Sequence, residues 1–141
     1  MSKLIAVDFD GTIVTHAYPK IGKDIPFAIE TLIRLQREGY RLVLWTVRSG
    51  ALLQEAVDYC QSKGLEFYAI NANFPGDVMS EKDSRKVNAD IYIDDRNVGG
   101  LPDWGLIYRM VKEQKSYRDV LLEELNTNTT PQKTRKWWQF G

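Results

Sequence analysis

Leu4-Ile5-Ala6-Val7-Asp8-Phe9-Asp10-Gly11-Thr12 is an apolar run that stops on two carboxylates spaced i, i+2, followed by Gly and Thr. An apolar run without alternation is the pattern of a parallel strand buried on both faces. In open α/β sheets, ligands bind just outside the carboxyl ends of such strands. A carboxylate is costly to bury without a partner or a metal, so two acids closing a core strand call for an explanation. The chain offers candidate partners later, at Thr46, at Lys82 or Lys86, and at Asp94-Asp95.

Working outward, short apolar runs alternate with segments of helical period. Ile13 to Gly22 has no helical period and carries Pro19 and Gly22, which reads as a turn or small flap at the sheet edge. Asp24 is placed to cap a helix with Pro26 in its first position, and Gly39 stops it. Leu42 to Trp45 is a second strand, ended by Thr46. Ser49 is positioned as the N-cap of a helix that buries Leu52, Leu53, Ala56, Val57 and Cys60 and ends at Gly64. Phe67 to Ile70 is a third strand, Asn71 to Asp77 a loop, and Ser80 to Lys86 one or two helical turns. Ala89 to Ile93 is a fourth strand, which also ends in acids, Asp94 and Asp95. Asp103 can cap a last helix, although Gly105 to Ile107 also suits a short fifth strand.

Strands alternating with helices imply βαβ units, a mostly parallel sheet and right-handed crossovers. The expected fold is therefore α/β, a Rossmann-like three-layer α/β/α arrangement. Every carboxyl end of a parallel sheet lies on one edge, so Asp8, Asp10, Thr46, Asp94 and Asp95 are expected to converge there.

Composition narrows the function classes. A chain of 141 residues is long enough for one well-buried domain, expected over residues 1–125, with 126–141 as a tail, either flexible or packing on a neighbour. Nineteen basic and nineteen acidic side chains cancel, so no overall field points to nucleic acid or an anionic membrane. One cysteine allows no internal disulfide. No apolar stretch approaches the ~20 residues of a membrane span, and the expected location is cytoplasmic. The tail carries a low-propensity segment, Asn126 to Pro131, then basic residues and Trp137-Trp138-Gln139-Phe140. Those aromatics suggest packing on a neighbouring subunit or on the same chain, and a homo-oligomer is a possible partner state; nucleic acid is not expected.

A cluster of carboxylates without His or Cys partners favours a hard cation with oxygen ligands, and Mg²⁺ is the ordinary choice. Such a site, with a hydroxyl and an ammonium nearby, suits a phosphate-like transition state. A carboxylate can itself be the nucleophile. The acid two residues on shares its strand face and could serve as general acid and base.

The residues resemble the haloacid dehalogenase superfamily. Asp8-Phe9-Asp10-Gly11-Thr12 is similar to its DxDx[TV] motif, Leu42 to Thr46 to its strand ending in Thr or Ser, and Ile91 to Asp95 to its strand ending in acids. The resemblance covers roughly residues 4 to 112. It implies a Mg²⁺-dependent phosphohydrolase that cleaves a phosphomonoester through an aspartyl-phosphate. Asp8 would be the nucleophile and a metal ligand. Asp10 would be the acid/base, its backbone carbonyl also on the metal. Thr46 would bind the transferring phosphoryl group, and Asp94 and Asp95 would complete the metal site. The family's lysine falls on Lys86 in preference to Lys82. The intervals from Asp10 to Thr46 and from Thr46 to Lys86 have no room for a cap domain, which resembles the capless subgroup and leaves a site open to a large phosphorylated substrate.

Arg48, just beyond Thr46, is a candidate bidentate donor to a substrate anion. His16 in the flap could touch substrate, and Cys60 reads as core. Two other classes compete: a receiver-like signalling module, and a catalytically silent binding or assembly protein on the same fold. The order of the acids, DxD first and an acid pair closing the fourth strand, argues against a receiver.

Overall fold

The computed structural model describes residues 3–77 and 87–134. In chain order the elements are β1 (Leu4–Val7), α1 (Ala28–Arg37), β2 (Arg41–Leu44), α2 (Gly50–Ser62), β3 (Ala69–Ile70), β4 (Ile91–Ile93), α3 (Trp104–Glu113) and α4 (Tyr117–Thr134). The four strands form one parallel sheet in the order β3-β2-β1-β4. The class is the α/β, Rossmann-like one expected, and no cap domain interrupts it among the described residues.

β1 is central because all four of its residues are buried, as its unbroken apolar sequence requires. Leu4, Ala6, Val43, Ala69, Ala72 and Val87 pack together, with Trp45 and Ala89 against them. Ile5, Val7, Leu42 and Leu44 are also fully buried, so the inner strands are covered on both faces. Each such Ile or Leu contributes about 1.5–3 kcal/mol relative to exposure. The helices α1 and α2 are the crossovers from β1 to β2 and from β2 to β3. Right-handed connections place both on one face.

Register sets the functional edge. Val7 is opposite Leu44 on one side and Ile93 on the other. The ladders continue past the strand ends: Asp8 N–H donates to the Ile93 carbonyl at 3.0 Å, and Trp45 N–H to the Val7 carbonyl at 2.8 Å. Asp8, Trp45 and Asp94 therefore leave the sheet side by side. The path steps from β1 to β2 to β3 in one direction, then returns to place β4 beyond β1. That reversal makes the β1/β4 edge a topological switch point, where ligands bind in open sheets.

The flap after β1 is tied down. The Phe9 carbonyl accepts the N–H groups of Thr12, Ile13 and Val14 at 3.2, 2.9 and 3.3 Å. Ile13 and Val14 are fully buried, and Val14 bridges to both Asp10 and Asp24.

Several local expectations change. α1 starts at Ala28, after Phe27 in a left-handed conformation (φ 67°), so Pro26 is not its first residue. Asp24 does not cap it, because its carboxylate takes the Tyr59 hydroxyl and faces Lys63 at 3.6 Å. Ser49 does occupy the N-cap position of α2, with no side-chain capping bond. β3 is only two residues long; it pairs on one side alone, and Ile70 is exposed. Gly105 to Ile107 is helical, not a strand.

The chain separates into two compact units, Met1–Trp104 and Gly105–Gly141, a different division from the one expected after residue 125. In the second, Arg109 pairs with Glu113 (2.7 Å), Glu124 (3.0 Å) and Glu123, and Lys115 with Glu123 (2.5 Å) and Glu113 (3.1 Å), joining α3 to α4. α4 runs on through 126–131, the segment expected to be a linker. Among the described residues, no helix is long and apolar enough to cross a membrane. Lys82, Lys86 and the Trp137-Trp138 tail lie outside the described residues.

Candidate metal centre and active site at the carboxyl edge

Three carboxylates meet where β1 and β4 end. Asp8, Asp94 and Asp95 each offer an oxygen within 4.8 Å of the others. Thr12, fully buried, supports two of them, Asp8 and Asp95. Its hydroxyl lies 3.4 Å from both Asp8 Oδ2 and Asp95 Oδ1, and it accepts the Asp95 N–H at 3.1 Å. The Trp104 indole N–H donates to the Thr12 carbonyl at 3.2 Å, which holds the support in place. Arg96 N–H donates to Asp94 Oδ1 at 3.0 Å, a local turn that fixes the third carboxylate.

The electrostatics follow from crowding like charges in a partly dry pocket. Burial, and then the negative charge of Asp94, push Asp8 from an ordinary value of 3.8 up to about 7; bonds and charge from Asp95 add to this, against a backbone hydrogen bond at Phe9. Burial pushes Asp95 up as well, but hydrogen bonds to His16, Asp8 and Asp94 outweigh it and hold Asp95 below the usual carboxylate range. His16 Nε2 is 2.7 Å from Asp95 Oδ2. Three mutually repelling carboxylates suit a divalent cation, whose charge would reverse the logic that raises Asp8. The all-oxygen donor set fits a hard ion.

This shift has a sign that can be tested. A carboxyl raised in the folded state binds its proton more tightly there than in the unfolded chain. Its contribution to stability is therefore present at low pH and is lost as pH rises from about 4 to about 7. In EDTA, the urea midpoint of the protein relative to Asp8→Asn is expected to fall between about pH 5 and about pH 7.5. Asp95, lowered, affects only the more acidic range. A pH-independent difference between the two proteins would show that Asp8 is not under this strain.

Gly11 is where the chain turns from the acids into the flap, at φ +84°. A Cβ there would lie 2.3 Å from His16 Nε2 and 2.4 Å from Asp95 Oδ2. Gly11→Ala is expected to destabilise the fold by about 1–2 kcal/mol from backbone strain alone, with further loss from displacing Asp95. Urea unfolding measures it, and an unchanged midpoint would contradict the close approach.

The other sequence candidates take different places. Thr46 reaches the same edge: its N–H donates to Asn71 Oδ1 at 2.8 Å, and its hydroxyl oxygen accepts the Arg48 N–H at 3.1 Å. With its oxygen so engaged, the hydroxyl proton can be offered to a ligand. A cavity of about 520 Å³ opens over this edge, within the size range of small-molecule sites. Asp8, Asp10, His16, Thr46, Asp94 and Arg96 form its polar lining, and Tyr18, Trp45 and Val47 its apolar lining.

The carboxylate of Asp10 is outside the triad. It is clamped by Arg48, Nε to Oδ2 and Nη2 to Oδ1, both at 2.7 Å. Arg48, expected to hold a substrate anion, is instead 1% exposed and does not line the cavity. The hydrogen bonds with Asp10 raise its already high proton affinity. Among the described residues, the arginine or lysine that lines the cavity is Arg96. Lys86, expected near the phosphoryl group, lies outside the described residues. Cys60 is fully buried, and burial pushes its thiol up to about 12, as for a cysteine that packs in the core.

Thr12, Trp45 and Arg96 were not singled out from sequence. Thr12 had a readable signal, as the last position of the DxDGT run; Trp45 and Arg96 had only their adjacency to Thr46 and Asp95.

No family model and no curated protein sequence matches the chain. A solved structure of a conserved protein from Bacteroides thetaiotaomicron is 57% identical, over 85% of this chain and 98% of that one, with a TM-score of 0.78. At that identity and coverage, the chain belongs to the same family as this conserved Bacteroides protein.

Proposed function

We propose that the protein is a Mg²⁺-dependent phosphohydrolase of the haloacid dehalogenase type, cleaving a phosphomonoester through an aspartyl-phosphate on Asp8. The observation that carries this reading is the triad Asp8, Asp94 and Asp95 at the β1/β4 switch point, under a cavity that also presents Thr46 and Asp10.

Asp8, Asp94 and Asp95 would hold the ion, which when bound neutralises phosphoryl charge and keeps Asp8 ionised. An Asp8 oxygen attacks phosphorus as the ester P–O bond breaks. The electron pair leaves with the ester oxygen, which takes a proton from Asp10. Water then attacks the aspartyl-phosphate, giving its proton to Asp10, and the bond from phosphorus to Asp8 breaks to release inorganic phosphate. Thr46 donates its hydroxyl proton to a phosphoryl oxygen. The single buried thiol of Cys60 and the lack of any candidate disulfide suit the cytoplasm.

The wild-type protein is expected to hydrolyse p-nitrophenyl phosphate with Mg²⁺ present, to stop in EDTA, and to recover when Mg²⁺ is restored. A panel of phosphorylated metabolites then identifies the substrate. No turnover of any phosphomonoester with Mg²⁺ would overturn the reading and favour a binding role for the same edge.

A further inference from the structure

We infer that Arg48 is the positioning residue for Asp10, a rigid fork that sets where the carboxylate points and takes no part in holding substrate. This rests on the proposed reading of Asp10 as the acid/base. All five guanidinium N–H groups are engaged. Nε and Nη2 donate to the two oxygens of Asp10 at 2.7 Å each. The second Nη2 hydrogen goes to the Lys20 carbonyl at 3.0 Å, and Nη1 donates to the carbonyls of Pro19 at 3.2 Å and Leu52 at 3.3 Å. The rings of Phe9 and Tyr18 each lie 5.2 Å from the guanidinium carbon. A group with five donors engaged and 1% exposure has nothing left to offer a ligand.

The anchors come from three separate stretches of chain: the flap at 19–20, the first turns of α2 at Leu52, and the ring of Phe9 between the two acids. Asp10 is thus referenced to its surroundings through one planar group. A bidentate fork uses one lone pair on each carboxylate oxygen, and each oxygen keeps another. Asp10 lines the cavity, so a remaining lone pair can carry the proton that passes to the leaving oxygen, while the fork fixes the rotamer. Lysine keeps the charge and the stem but has no planar fork.

A leaving-group comparison tests this. p-Nitrophenolate departs without needing a proton, whereas a simple alkoxide, as from glycerol phosphate, needs one. In Arg48→Lys, kcat/KM for the alkyl ester is expected to fall about 100-fold, in the range attributed to a positioned acid, and to stay within about fivefold for the aryl ester. Equal losses on both, or no loss on either, would overturn the positioning role. A second measurement needs neither turnover nor a stable variant at position 48. In the wild-type protein, the Arg48 Nε–H is expected as an NMR signal that exchanges slowly with water and is displaced in Asp10→Asn. An Nε–H that exchanges as fast as that of a surface arginine would refute the clamp. Inactivity of the wild-type protein on every ester, with the slow signal present, would refute the phosphatase reading and leave the clamp standing.

Discussion

Asp8→Asn is expected to lower kcat for any phosphomonoester substrate by at least about 10³-fold, on the scale seen when a covalent nucleophile is removed from another hydrolase. Asparagine is nearly isosteric and keeps the position at the end of β1, so the fold is retained. The amide cannot attack phosphorus and binds a cation less well than a carboxylate. A second consequence separates this site from an ordinary structural acid. Asp8 is pushed up to about 7 by burial and by Asp94, so the metal-free protein holds a charge it resists. Removing that charge should raise the metal-free thermal midpoint near neutral pH while abolishing turnover. Mg²⁺ should stabilise the wild-type protein, by about 2.7 kcal/mol at 100 times its dissociation constant, and should stabilise Asp8→Asn far less. Thermal unfolding with and without Mg²⁺, beside a phosphate-release assay, reads all three effects. A variant that keeps a tenth of the wild-type turnover would remove Asp8 as nucleophile.

The fold was legible because β1 is apolar throughout and because two further apolar runs also end in polar residues of the same kind. Parallel pairing then dictates that Thr46, Asp94 and Asp95 reach the edge where Asp8 lies, and register makes Asp8 and Asp94 neighbours. What spacing along the chain cannot convey is the direction of a side chain once the backbone turns. Asp8 and Asp10 share an i, i+2 relation, but β1 ends at Val7 and the flap begins directly. The pleat therefore no longer governs where Asp10 points: Asp8 joins the triad while Asp10 turns to Arg48. The same cause misled the reading of Arg48. Its position after Thr46 suggested an anion donor, yet the flap carbonyls of Pro19 and Lys20, and the carboxylate of Asp10 some forty residues earlier, are contacts that no local pattern reveals. The start of α1 fails for a similar reason, since Asp24 is drawn away by Tyr59 of α2 and by Lys63 just past the end of that helix.

Arg48→Met is expected to destabilise the protein by about 3–5 kcal/mol, the cost of breaking a buried ion pair from one side. Methionine replaces the stem but none of the five donors. It strands Asp10, whose side chain is only 10% exposed, with two oxygens and no counter-charge. It also leaves the carbonyls of Pro19, Lys20 and Leu52 without their donor, each at about 1–3 kcal/mol where water cannot reach. Relaxation of the exposed flap toward solvent recovers part of this, so the sum is less than its terms. The pair is also asymmetric. Asp10→Asn keeps an oxygen for the fork and should cost less than Arg48→Met, and Asp10→Asn combined with Arg48→Met should be more stable than Arg48→Met alone because the stranded charge is gone. Urea unfolding of the two single variants and the double variant closes the cycle, with a coupling of about 1–3 kcal/mol expected between residues in direct contact. Additive losses would mean that Arg48 acts through the backbone carbonyls and not through Asp10. That result would uncouple the stability of the flap from the aim of the acid.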